Sequence, residues 1–172
     1  MAFIRQVKAD IVISWDPFAP EEEHPDHRAV AMATLEAASF SGLPLFYPED
    51  GHPPHMVTEA YWFAKSPRNA ELIIDISSVL DLKIAALLKH RCQMELTVDQ
   101  LRMEAKALGV DIPMLSGDHA QDIEQVIAMG MRSFCAGTGA KAGLQYAEQF
   151  RYQKLGMLEQ VLGTEFSKPD FA

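Results

Sequence analysis

An α/β fold is predicted for this chain by three observations. A short β-branched run stops at Asp16-Pro17, a helix opens a few residues later at His24-Pro25, and two more strand candidates precede a series of amphipathic helices. Residues 9–15 (ADIVISW) have the length and composition of a buried strand. An acidic, proline-containing loop covers residues 17–23, and from His24 the text turns helical and alanine-rich to about Ser39. Pro25 suits the first helical position, where its missing N–H costs nothing, and Asp26 suits the positive end of the helix.

Four prolines and two glycines make residues 42–54 a loop. Strands are expected at residues 59–64 and 71–76, joined by a turn at residues 65–69. A helix is expected from Ser78 to about Arg91. Ser78 with Asp81 resembles a capping box, Leu80, Ile84, Leu87 and Leu88 form one stripe, and Lys89 and Arg91 sit at the negative end. Thr97 with Gln100 reads as the start of another helix, which Gly109 ends. Further helices are expected over residues 118–133 and 144–162. No internal repeat occurs. Three strands make a thin sheet for this much helix, so the chain reads as part of a larger sheet whose other strands are missing or supplied by a partner.

Composition narrows the function classes. At 172 residues and 48% hydrophobic content, the chain can bury the core of one ordinary domain. Its formal net charge of −9 argues against nucleic-acid binding through a basic face and against docking on anionic lipid. Cys92 and Cys135 lie far apart and outside any CxxC pair, which suits a reducing cytoplasm. No signal peptide opens the chain, and no apolar run approaches the roughly 18 residues needed to span a bilayer. A soluble, cytoplasmic protein is expected.

The strongest chemical signal is His24-Pro25-Asp26-His27, directly behind a strand and opening a helix. Ligands of open α/β sheets bind at the carboxyl ends of the strands. Positions i and i+3 share one face of a helical turn, so both imidazoles can converge on one point. Neutral imidazole is a common zinc ligand, and Asp26 can hold one ring in a chosen tautomer. The same spacing also fits a solvated turn.

Other candidates have plain readings. Asp16 and the run Glu21-Glu22-Glu23 lie near the same loop and could supply oxygens, but the run reads as solvated charge and none of the four is proposed as a ligand. His52-Pro53-Pro54-His55 is a second HxxH, which its prolines place in a loop. His90 reads as the imidazole at a helix C-terminus, His119 as a helix start, and Cys92 as a packed helix residue. Gly137-Thr138-Gly139-Ala140-Lys141-Ala142 imitates a dinucleotide fingerprint without the strand that should precede it. Tyr61, Trp62 and Phe63 fit a buried strand better than a sugar platform.

In sequence order, four segments resemble the PIG-L/LmbE family of zinc-dependent N-deacetylases. HPDH after a short strand and before an alanine-rich helix is similar to its second signature motif. Ile74-Asp75-Ile76-Ser77 is similar to its "DIS" strand end. Lys83, Ala86-Leu87 and His90-Arg91-Cys92-Gln93 resemble its "K…AL…HxSQ" helix, with Cys92 in place of serine. Tyr146-Ala147-Glu148-Gln149-Phe150-Arg151 is similar to its "YAExFR" segment. The resemblance implies a partial Rossmann-like, three-layer α/β fold, with residues 1–172 as a single deacetylase domain lacking its N-terminal portion. It implies a zinc cofactor with His27 as a metal ligand. His24 would stabilise the oxyanion or protonate the leaving amine, and Asp26 would orient it. The implied reaction is hydrolysis of an N-acetyl group from a small-molecule amino sugar of the N-acetylglucosaminyl type, by a homo-oligomer. Glu148 is read as serving packing or subunit contacts.

The family takes its other two zinc ligands and its general base from an "AHPDD" motif after its first strand. No such motif precedes the HPDH strand here. The chain is therefore expected to be a fragment, a split gene product, or a non-catalytic remnant kept for oligomer or partner contacts. A metal-storing module built on HPDH alone is the remaining alternative. A catalytic zinc needs about three protein ligands plus an open position. We predict that the purified chain binds zinc weakly and loses it on dialysis. One tightly held zinc per chain in elemental analysis would contradict that expectation and would mean that a nearby carboxylate such as Asp16 completes the site.

Overall fold

The computed structural model of the chain describes residues 1–65, 67–115 and 117–163. Among these, four strands form one mixed sheet in the order β1-β2-β4-β3, with helices around them. The α/β class is as predicted, with a fourth strand that sequence reading placed inside a helix. Contacts divide the chain into two compact units, Met1–Leu72 with the chain from Gln149, and Ile73–Glu148.

The first unit opens with a short helix, α1 (Ala2–Val7), which has no sequence signature and no side-chain cap. Strand β1 (Ile11–Trp15) follows, then α2 (Pro25–Phe40), which starts at Pro25 with His24 as N-cap. Strand β2 (Glu59–Phe63) pairs parallel with β1, from Ile11 opposite Glu59 to Trp15 opposite Phe63. Strand side chains alternate between faces. Val12 packs with the core of Ile4, Ala38 and Val57, and the Ser14 hydroxyl bonds Thr34 of α2 at 3.3 Å. Ile11 and Ile13, on the other face, are 51% and 65% exposed.

The chain expected as a helix over residues 144–162 instead forms strand β4 (Ala147–Lys154) and a short α6 (Leu158–Leu162). β4 runs antiparallel to β2, with Tyr61 opposite Tyr152 and Trp62 opposite Arg151. Tertiary pairing overrides local propensity here. Tyr61 meets the Tyr152 and Phe150 rings with centroids 5.2 and 6.3 Å away, and Trp62 Nε1 donates to Gln153 Oε1 at 2.9 Å.

The second unit contains β3 from Ile73 onward (Leu72–Asp75 in full), α3 (Leu80–Leu87), α4 (Arg91–Leu108) and α5 (His119–Ala140). Ile76, Leu80, Ile84 and Cys135 form its core. The helix expected to run on to Arg91 ends earlier. Lys89 and His90 donate to Ala86 and Leu87, three residues back, and a new helix starts as Met94 bonds His90. His90 is therefore the N-cap of α4 rather than the end of α3. The apolar register restarts at Met94 and Val98, which leaves Cys92 exposed rather than packed. Neither expected capping box forms. The N-cap of α3 is Val79, and Thr97 lies inside α4, where its hydroxyl donates to the Gln93 carbonyl. Gly109 does end α4, at φ 66°. α5 starts at His119 as expected, with Asp118 as its N-cap, but the helix runs past Ser133 to include Gly137 and Gly139. A Cβ at Gly139 would lie 2.6 Å from the Leu144 carbonyl oxygen, so this glycine serves a close backbone approach. Of the expected turn at residues 65–69, Ser66 lies outside the described residues. Among the described residues, no helix is long and apolar enough to cross a membrane.

Arg5 of α1 holds the proline-rich loop together. Its guanidinium is buried, donates to the carbonyls of Ser41, Leu43, Phe46 and Tyr47, and pairs with Asp50 at 2.8 Å. Removing one partner of a buried pair costs about 3–5 kcal/mol, because the other is left uncompensated. Arg5→Ala is expected to lower stability by about that amount and to open residues 43–50 to limited proteolysis. A melting temperature and cleavage pattern like those of the parent chain would show that the loop holds without it.

Candidate active site

The site forms at the carboxyl end of β1, beside that of β2. The Asp16 N–H extends the parallel ladder by donating to the Phe63 carbonyl at 2.8 Å. The carboxylate of Asp16 is buried and takes two bonds from Arg151 of β4, at 2.7 and 2.8 Å, plus one from the Phe18 N–H at 2.9 Å. The Arg151 guanidinium lies 5.7 Å from the Trp62 ring and 5.8 Å from the Phe18 ring. Burial works to raise the Asp16 pKa, but the Arg151 and Phe18 bonds and the Arg151 charge outweigh it and hold the carboxyl below its ordinary value. Asp16 is thus committed to Arg151 and is not free to complete a metal site.

Beyond Asp16 the loop turns at Glu21, in the left-handed region at φ 59°. Glu21 and Glu23 are exposed, but Glu22 points inward and is only 7% exposed. The reading of the run as solvated charge is therefore overturned at its middle residue. Glu22 Oε1 accepts from the His24 N–H at 3.1 Å and lies 3.0 Å from His27 Nδ1. Glu22 Oε2 is buried with no hydrogen-bond partner among the described residues. Burial works to raise the Glu22 pKa, yet the bonds from His24 and His27, with the charges of His27 and Lys65, hold it below the ordinary range. Arg28 braces the turn by donating to the Glu22 and Glu23 carbonyls at 3.0 and 3.1 Å.

The two histidines are brought together as the HxxH spacing predicts. Their rings stack with centroids 4.4 Å apart, and Trp15 stacks on His27 at 3.8 Å and 12°. Both faces of His27 are therefore covered, while its side chain keeps 27% exposure. His24 caps α2 through its ring, with Nδ1 accepting from the Asp26 N–H at 3.2 Å. The backbone of Asp26 makes this contact, not its carboxylate. A ring whose Nδ1 accepts carries its proton on Nε2, so His24 presents a donor.

Glu22, Trp15 and Arg151 were not singled out as site residues from the sequence. A β-strand's aromatic end and a strand arginine give no local signal, and Glu22 is hidden in its acidic run. The other candidates have separate partners. His55 Nε2 lies 3.0 Å from Asp10, His119 Nδ1 lies 2.6 Å from Arg102, and Glu148 pairs with Lys83. Among the described residues, no group of three His, Cys, Asp or Glu side chains is placed to hold a metal ion. The donors present fit one corner of a zinc site, the His27 ring.

The fold matches part of a solved deacetylase. The solved N,N'-diacetylchitobiose deacetylase of Pyrococcus horikoshii, in complex with its inhibitor MPG, matches 88% of this chain with a TM-score of 0.65 at 25% identity. The diacetylchitobiose deacetylase of Thermococcus kodakarensis is 36% identical over 94 residues, 52% of this chain, and the two are homologous there. The chain spans 48% of the solved protein's length and 34% of the curated relative's. No protein-family profile matches the chain.

The Asp16–Arg151 pair sets an acid limit on this site. A carboxyl whose folded pKa is depressed adds stability above its unfolded pKa and loses it as pH falls through the folded value. Asp16→Asn is expected to cost about 3 kcal/mol at neutral pH, at the low end for a buried pair because Arg151 keeps some exposure. The gap from the parent chain should narrow below about pH 4, where a free aspartate protonates. Thermal melts of both proteins between pH 7 and 3 test this, and a constant gap would contradict it.

Proposed function

We propose that this chain carries the histidine side of a zinc-dependent N-deacetylase site that hydrolyses the acetamide of an N-acetylglucosaminyl-type substrate. The observation that carries this reading is the stacked histidine pair at the carboxyl end of β1, which offers one ring as a donor and the other as a ligand, in a chain homologous to diacetylchitobiose deacetylases. His27 would hold the zinc. Bound there, zinc supplies Lewis-acid polarisation of the acetyl carbonyl and acidifies a water. His24, with its proton on Nε2, donates to the oxygen that gains charge as water adds to the carbonyl, or passes that proton to the departing amine. Asp26 keeps His24 in that tautomer through its N–H. Water adds across the C–N bond, giving acetate and the free amine.

The remaining ligands and the general base would come from outside the described residues, in the same polypeptide or another. A homo-oligomer and a cytoplasmic location belong to the same proposal. They are supported by the exposed β1 face and by two cysteines that form no disulfide. A non-catalytic remnant is the second reading, favoured by the lack of a three-donor group among the described residues.

The test is acetate release from N,N'-diacetylchitobiose with zinc added, using this chain alone and mixed with a chain that carries an AHPDD half. Where activity is found, His27→Ala is expected to abolish it together with bound zinc. His24→Ala should keep most of the zinc and lower turnover on the order of 10²–10³-fold. Asp26→Asn keeps the backbone N–H that His24 accepts from, so turnover should stay close to that of the parent chain. Loss of zinc from His24→Ala and not from His27→Ala would reverse the two roles. No hydrolysis in any preparation would favour the remnant.

A further inference from the structure

Burying a carboxylate between two solvated glutamates is costly unless something requires its charge. Glu22 is buried to 7% exposure at the mouth of α2, and both of its Oε1 contacts go to the histidine motif. Glu22 Oε1 already accepts from the His24 N–H at 3.1 Å, so it faces His27 as an acceptor, and the arrangement places the proton of the 3.0 Å contact on Nδ1. The lone pair of His27 is then on Nε2, at the edge of the ring that Trp15 and His24 leave uncovered. His24, stacked on it, holds the opposite tautomer because its Nδ1 accepts from Asp26. Two like residues three positions apart are thus given different chemistry by what faces their Nδ1 atoms.

We propose that Glu22 is the positioning residue of this site: it fixes His27 as the Nδ1–H tautomer and so presents Nε2 as the metal donor. This rests on the reading of His27 as a zinc ligand. A carboxylate on the far nitrogen also makes the ring a stronger donor, and its loss typically lowers metal affinity about 10–100-fold. The unpartnered Oε2 fits the same role, since the full charge stays beside the imidazole rather than being shared with another donor. Glutamine keeps the shape of Glu22 but can accept through oxygen or donate through nitrogen, so it enforces neither tautomer.

Nitrogen-15 NMR of histidine-labelled chain tests this without any activity. In the metal-free parent chain, His27 is expected to carry its proton on Nδ1 and His24 on Nε2. Added zinc should shift His27 Nε2 and leave its Nδ1–H in place. Glu22→Gln should give a mixed His27 tautomer and bind zinc about 10–100-fold more weakly by competition titration, with the His24 tautomer unchanged. A His27 proton on Nε2 in the parent chain would overturn the proposal whether or not the variant folds. So would zinc bound at His27 Nδ1, which would make Glu22 a neighbour displaced by the metal or a ligand itself. Parent-like zinc affinity in a folded Glu22→Gln would do the same. If the tautomer and affinity results hold but no preparation releases acetate, the positioning role stands and the deacetylase reading falls.

Discussion

The contact between Asp16 and Arg151 is the constraint on which the site depends. It joins residues 135 positions apart, so the loop that carries the histidines is fixed only when the last strand has entered the sheet. Asp16 ends β1, and everything up to the α2 N-cap hangs from it. Arg151 in turn is held by Gln153 at 3.2 Å and lies over Trp62, the largest fully buried side chain. A loop without regular structure thereby gains the positional precision of the strands on either side of it. Segments that carry binding groups are usually the mobile parts of a fold, and a charged clamp at the root of one answers that problem.

What could be read from the sequence was what local physics decides. The helix that opens at His24-Pro25, the proline at N1 and the strand that ends at Trp15 all follow from short-range rules, and the structure places each where those rules put it. Glu22 could not be read that way. Its burial depends on a left-handed Glu21 and on the His27 ring arriving from the next helix, and neither is encoded in a run of three glutamates. β4 was misread for a similar reason. The segment YAEQFRYQK is helix-compatible in isolation, and it becomes a strand only because Tyr61 and Trp62 wait across the sheet for its aromatic rings and Gln153.

Several residues that look chemical in the sequence are structural here. Glu148 pairs with Lys83, and the Ser77 hydroxyl contacts both the Tyr146 carbonyl and its N–H, so three of the resembling segments are tied to one another. The glycine-rich GTGA is the end of a helix that the Leu144 carbonyl approaches closely. Asp122, fully buried, accepts from Arg102 at 2.6 Å and from the Gly117 N–H at 3.1 Å, which fastens α4 to the start of α5. Such pairs specify which elements meet without adding much net stability.

The face-to-face contact of Trp15 with His27 has an optical consequence. The chain has only two tryptophans, and Trp62 is wholly buried beneath Arg151. Trp15 lies 3.8 Å from the imidazole, close enough for any change of charge on that ring to alter the field across the indole. Its emission is therefore an unlabelled reporter of what His27 carries. Replacing Trp62 with phenylalanine would leave a single emitter whose spectrum reads the state of the histidine pair in solution.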